Sequence, residues 1–218
     1  MDGLRQNAGG GKYQTIIFVK MKKAEHTKRT IVEKAAVVFN EKGIAGASID
    51  DILRASKVAK GCLYGHFESK EELCYASVDY LFELICTRQD EQTGKHKSAL
   101  DRLLAFFDLN KNPLNPYITG GCPIINLATE ADDTNPKIKK KLRTVITKTL
   151  LLLTGIMEDG IQCGEFSKTL HPESFAMNIV SALEGANAIS RIMNSNKPMK
   201  NAINYLKADL LTYCLTER

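Results

Sequence analysis

The side chains able to do chemistry in this sequence are scattered thiols, isolated imidazoles and a biased set of cations. Six cysteines, Cys62, Cys74, Cys86, Cys122, Cys163 and Cys214, are spread over 218 residues. They form no C-x-x-C pair and have no histidine at ligand spacing, so reduced thiols are expected rather than a zinc site or disulfide framework. Cys122 differs from the others because Pro123 follows it. Proline suits the first position of a helix, so the thiol stands at a helix N-terminus, where the dipole favours a thiolate. The alternative for Cys122 is a small apolar core residue. The four histidines, His26, His66, His96 and His171, do not cluster with acidic residues. The sequence has no P-loop, G-x-S-x-G, G-x-G-x-x-G or H-E-x-x-H string. The expectation is a protein that is not an enzyme, with no metal and no cofactor.

Charge is unevenly distributed. Residues 1–70 hold 13 Lys and Arg against 7 Asp and Glu, a net +6, while the remainder holds 17 against 18, a net −1. A basic N-terminal third suits a polyanionic partner. A solvated lysine-rich face would give the same count. No apolar run approaches the roughly 18 residues a membrane span needs. Residues 1–20 lack the apolar stretch of a secretory signal. The expected location is the cytoplasm, with no membrane partner.

The elements that must position these groups read as helices. Residues 1–22, with three consecutive glycines and a short β-prone stretch at 15–19, read as a tail outside the fold. From Thr27, the apolar residues Ile31, Ala35, Val38 and Phe39 share one helical face. Thr27 is predicted to cap this helix and Gly43 to stop it. Ser48 caps a second helix, with Asp51 three residues on in a near capping box. Ala55 to Lys57 turn the chain into a short third helix, about 59–64. Ser69 caps a long fourth. Further helices are predicted over 98–109, 123–130, 136–163, 172–195 and 197–216, separated by Asn-Pro, Gly-Gly and His-Pro breaks. No period-two strand persists, so the fold class is all-α.

Three short helices and a long one do not by themselves define a function. The string from Ser48 to Leu73, SIDDILRASKVAKGCLYGHFESKEEL, does more. It resembles the signature of the TetR family of transcriptional regulators over Thr27 to about Tyr75, with Lys60-Gly61, Leu63-Tyr64, His66-Phe67 and Ser69-Lys70-Glu71 in register. The resemblance implies a helix-turn-helix DNA-binding domain at 23–70 and an effector-binding and dimerisation domain at 71–218, joined by the long fourth helix. It implies a repressor that binds a palindromic double-stranded DNA operator as a homodimer and is released by a small-molecule effector. The implied DNA contacts are Thr27, Ser48, Ala59, Lys60, Cys62, Tyr64, His66 and Lys70. A recognition helix reads the major groove with its N-terminal residues. Lys70 also offers free backbone amides at a helix start. Three positions depart from the pattern. Lys57 stands at a turn position usually given to glycine and must adopt a left-handed conformation. Ala59 replaces the usual serine cap of the recognition helix. Gly65 stands where many relatives carry a bulky residue.

Two C-terminal stretches, Gly120 to Leu142 and Ala182 to Ile192, resemble one TetR subgroup. In some of its members a cysteine at the Gly-Cys position reacts with electrophiles or oxidants. That gives an alternative reading of a redox-sensing repressor acting through Cys122, with Arg191 as a nearby cation. The second stretch implies a dimer face of Ala182, Gly185, Ala186 and Ile189, which with the last helix would form a four-helix interface. Candidate effector-pocket residues are Phe82, Phe106, Phe107, Tyr117, Ile125, Asn126, Met157, Ile161 and Phe175, each also readable as plain core. A DNA-binding module without an effector, structural or antitoxin-like, is the remaining alternative. The long helical C-terminal domain argues against it.

Overall fold

Capping chemistry decides where most of these helices begin. The structure is a computed structural model describing residues 23–215; the expected tail, 1–22, lies outside the described residues. The elements are α1 (Lys23–Gly46), α2 (Ile49–Ser56), α3 (Lys60–Tyr64), α4 (Lys70–Thr93), α5 (Ala99–Asn110), α6 (Pro123–Ala131), α7 (Pro136–Gln162), α8 (Pro172–Ile192) and α9 (Lys197–Thr212). Ser48, Ser69, Ser98 and Asn135 each accept a backbone N–H at the start of their helices. These bonds satisfy amides that have no partner within the helix. Proline occupies the first turn of α6, α7, α8 and α9. The only strand-like pairing among the described residues is an isolated bridge between Phe166 and Cys214. The all-α expectation therefore holds.

Several expected boundaries move: α8 ends at Ile192 rather than 195, and α9 at Thr212 rather than 216. Thr27 lies one turn inside α1, because Lys23 to His26 extend the helix N-terminally. Lys, Ala and Glu are good helix formers, so no break is encoded there. Thr27 is therefore not a cap. Gly43 does interrupt α1, with φ 74° and ψ 172°. The chain then resumes helical turns to Gly46.

Two apolar cores hold the helices together. The first joins α1, α2, α3 and α4 to α6 and the N-terminal half of α7, around Ile31, Phe39, Leu63, Leu81, Leu127 and Ile138. The second joins α5, the C-terminal half of α7, α8 and α9, around Leu103, Phe107, Ile156, Phe166 and Ile179. The first core thus draws on residues from both sides of position 70. The N-terminal helices pack directly on α6 and α7, so a shift in α6 is felt by α1. Among the described residues, no helix is long and apolar enough to cross a membrane.

Candidate functional site

The N-terminal helices build an open face on α3. Ser48 caps α2 by accepting the Asp51 amide at 3.1 Å, and Asp51 accepts the Ser48 amide in return at 3.1 Å. The capping box forms with Asp in place of Glu. Lys42 at 2.7 Å and Arg54 also pair with Asp51. Hydrogen bonds from Lys42 and then from Ser48 hold the Asp51 carboxyl far below the usual carboxylate range. Lys57 takes the left-handed conformation at φ 57°, ψ 31°, and closes α2 by donating its amide to Leu53 at 2.9 Å. Ala59 starts α3 without a side-chain cap.

On α3, Leu63 is fully buried while Ala59, Lys60, Gly61 and Tyr64 are exposed. Tyr64 is 44% exposed. A side chain at Gly61 would meet no protein atom, so the glycine leaves this face flat and open. Gly61 entered the sequence reading only as part of the Lys60-Gly61 motif and not as a DNA-contact position. Cys62 and His66 are half-buried beside this face. Gly65 has an ordinary right-handed conformation, so no backbone strain requires glycine there. Lys70 is half-buried and lines a recess with Ile44, Cys74 and Glu130 at the junction of α1 and α6. Burial pushes the Cys74 thiol up to about 12.

A second constellation ties α1 to the segment before α6. Buried Asn40 donates to the carbonyls of Thr119 at 2.8 Å and Gly121 at 3.0 Å. Asn126 donates back to the Asn40 carbonyl at 3.1 Å, the Asn40 Oδ1 at 3.1 Å and the Gly120 carbonyl at 3.0 Å. Two glycines make this approach possible. Gly120 and Gly121 have φ of 97° and 103°. A Cβ on Gly120 would lie 2.9 Å from Asn40 Nδ2, and one on Gly121 would lie 2.8 Å from the Arg191 guanidinium carbon. Further along α6, Glu130 accepts the Ile44 and Ala45 amides, each at 2.6 Å. Those amides are freed by the break at Gly43, and the carboxylate satisfies them with charge-assisted bonds. Asn40 was discernible as a polar residue on the buried face of α1, one turn after Ala36. Glu130 carried no such signal.

The same segment walls a cleft of about 120 Å³ between α4, α5 and α8. Its lining includes Ile85, Arg88, Tyr117, Gly121, Cys122 and Glu184. The Arg88 guanidinium stacks 3.8 Å from the centre of the Tyr117 ring. Cys122 Sγ lies 3.2 Å from Glu184 Oε1, with the thiol donating. Burial and the Glu184 charge push the Cys122 thiol well above its ordinary range, while amide bonds at the start of α6 oppose the shift and lose. Burial first, and then the Glu184 carboxylate on the thiol's other side, outweigh the helix N-terminus here. Burial also raises Glu184, partly offset by the thiol bond. Glu184 and Asn187 both line this cleft, and Glu184 Oε2 and Asn187 Oδ1 are buried without a hydrogen-bond partner. Each such orphan costs about 1–3 kcal/mol.

Comparison with known proteins assigns this architecture. Residues 31–76 match the profile described as bacterial regulatory proteins, tetR family, and residues 99–206 that described as tetracyclin repressor-like, C-terminal domain. A TetR transcriptional regulator from Chloroflexus aurantiacus has 34% identical residues and a TM-score of 0.84, over 89% of this chain and 98% of that one. The chain belongs to the TetR family of transcriptional regulators. A TetR-family regulator from Cytophaga hutchinsonii is 28% identical with a TM-score of 0.84, over 91% of this chain and 100% of its own. Among curated relatives, the HTH-type transcriptional repressor NemR of Escherichia coli is 25% identical over 201 residues, 88% of this chain and 98% of that protein.

Within this TetR fold, the expected pocket residues separate. Tyr117 lines the cleft, and Asn126 belongs to the Asn40 lock. Phe106, Phe107, Met157 and Phe175 are packed in the second core, with Ile161 against it, and Phe82 is in the first. Ile125 is half-buried on α6. Phe175 meets Tyr213 edge-on at 6.1 Å. These apolar side chains fill helix-packing positions, the plain-core reading of each. Arg191 lies against Gly121, beside Cys122, and donates to the Pro113 carbonyl at 3.3 Å.

The small-residue stripe on α8 divides as well. Ala186 is buried in the second core and Ala182 packs against it, while Gly185 is exposed and Ile189 is 50% exposed. The outward face of α8 is better drawn by Met177, Gly185, Ile189 and Ile192, alongside Tyr205 and Leu211 on α9. Ala186 points inward because it falls one turn from Leu183 and Ser190 on the core face.

Proposed function

We propose that this chain is a homodimeric, cytoplasmic repressor that leaves a palindromic operator when a small molecule enters the cleft between α4, α5 and α8. The observation that carries the reading is the Asn40 lock. The segment from Ile118 to Cys122, which lines the cleft through Ile118, Gly121 and Cys122, is hydrogen-bonded through Thr119 and Gly121 to α1, the first helix of the DNA-binding domain. Glu130 adds a second tie between α6 and the chain just after Gly43. A ligand that moves this wall shifts α1 with it. The two recognition helices of a dimer then no longer match successive major grooves.

The open face of Ala59, Lys60, Gly61 and Tyr64 supplies the contacts to DNA. Lys60 faces base edges and phosphates, and Tyr64 offers a hydroxyl to the backbone. Ser48, Cys62, His66, Lys70 and Thr27 complete the proposed set of DNA contacts. Reversible ligand binding is the preferred form of regulation, since the Cys122 proton is held in a bond to Glu184. A mobility-shift titration against the DNA flanking the gene, repeated at several salt concentrations, tests the function. The expected result is sequence-selective, salt-sensitive binding that Lys60→Ala weakens. Binding without sequence preference would remove the repressor reading.

A further inference from the structure

The cleft has a marked chemical polarity. Most of its wall is apolar, including Ile85, Leu109, Pro113, Ile118 and Ile124. At the α8 side, Glu184 Oε2 and Asn187 Oδ1 are buried without a partner. The two residues are three apart on one helix, so they share a face one turn apart. Both orphaned atoms are acceptors, and one belongs to a carboxylate. A buried carboxylate needs opposite charge as well as hydrogen bonds. The nearby cations are already engaged elsewhere. Arg88 stacks on Tyr117, and Arg191 donates to Pro113. Neither forms an ion pair with Glu184 among the described residues; its bonded partner is the Cys122 thiol.

We propose that the cleft takes an apolar-bodied organic amine, whose ammonium donates to Glu184 Oε2 and Asn187 Oδ1 while its body lies against Ile85, Leu109 and Ile124. This rests on the reading of the cleft as the effector site. The amine supplies in one group the charge that Glu184 lacks and the donors that both oxygens lack. An anionic ligand would meet the Glu184 carboxylate at the α8 side of the cleft, and the one arginine in the lining, Arg88, is stacked on Tyr117. Cys122 then acts as a positioning residue, holding the Glu184 carboxyl by its other oxygen.

The test uses the full-length dimer and three probes with the same body, 3-phenylpropylamine, 3-phenylpropanol and 3-phenylpropionate. Calorimetric titration is expected to rank them amine first, alcohol second and carboxylate last. Glu184→Gln keeps the shape and removes the charge, and it should weaken the amine at least tenfold while leaving the alcohol nearly unchanged. Asn187→Ala should weaken the amine in a chain whose charge is intact, which covers the case in which the Glu184 variant misfolds. Equal or tighter binding of the carboxylate, an amine affinity indifferent to both substitutions, or no binding by any probe would overturn the proposal. Operator release by the same probes separates the two readings. An amine that binds through Glu184 without releasing DNA leaves the ligand class standing and removes the effector role. A carboxylate that binds and releases DNA does the reverse.

Discussion

At the scale of single residues, the recognition helix is short and imperfectly capped, and this has measurable consequences. Ala59 has the extended conformation of a cap, φ −70° and ψ 150°, but no side-chain oxygen. Ala59→Ser places a hydroxyl there without changing the backbone, so it should stabilise the fold by about 1 kcal/mol. That corresponds to a rise of about 2–4 °C in melting temperature for a chain of this size. An unchanged or lower melting temperature would mean that α3 is not limited by its first turn. Asp51 sets a pH dependence of definite sign. Its folded value lies below its unfolded one, because Lys42, Ser48 and Arg54 bind the carboxylate. The unfolded chain therefore takes up the proton first as the pH falls. The contribution is complete above about pH 5 and is lost progressively below it. Thermal unfolding of wild type should weaken more steeply from pH 5 to pH 3 than that of Asp51→Asn. Parallel curves would contradict this. Tyr64 offers a separate test, since its 44% exposure means that Tyr64→Phe removes a hydroxyl without emptying a core. Operator affinity should fall by about 1 kcal/mol or more with no change in melting temperature.

At the scale of elements, what matters is the seam between α1 and α6, and here the sequence was only partly readable. Caps and breakers marked the helices well. Ser48, Ser69, Ser98 and the helix-starting prolines stand where the structure uses them, because their effect is local. Lys57 was identifiable as a left-handed residue for the same reason. Asn40 and Asn126, by contrast, are 86 residues apart and meet only through packing. Gly120 and Gly121 looked like a loop break, whereas they let the chain come against Asn40 and Arg191. Glu184 and Asn187 carry no signal of their own in the sequence, since periodicity separates core from surface and does not reveal a third face lining a cleft. The seam predicts coupled energetics. Gly120→Ala forces a side chain into a φ of 97° and against Asn40, so it should cost about 1–3 kcal/mol. Asn40→Ala leaves the Thr119 and Gly121 carbonyls without their donor and should cost a similar amount. The two losses should not add, with a shortfall above about 0.5 kcal/mol in a double-mutant cycle. Both variants should also lose amide-exchange protection at 40–46 and 118–126 together. Loss confined to one of those segments would mean that α1 and α6 do not move as a unit.

At the scale of the whole molecule, the apolar surface left over after folding offers a face for the proposed dimer. Ile192 is 85% exposed, Met193 64%, Tyr205 73% and Leu211 55%, and they come from two adjacent helices. Isolated exposed apolar residues are ordinary, but a shared face on neighbouring helices is not. Two such faces related by a two-fold axis would pack α8 and α9 of each subunit as four helices. Symmetry then serves the DNA-binding helices. A single α3 of five residues, Lys60–Tyr64, reads too little sequence to select one site, while two copies on a palindrome double the contact. Ile192→Glu combined with Tyr205→Glu should therefore break the dimer without unfolding the monomer, since both side chains already face outward. Light scattering should give a single-chain mass, with helicity by circular dichroism unchanged. Operator affinity should fall roughly a hundredfold or more as half of the specific contacts are lost, while weak nonspecific binding through Lys60 and its neighbours persists. A double variant that remains dimeric would place the interface elsewhere. One that becomes monomeric yet binds the operator undiminished would show that the DNA-binding helices do not work in pairs.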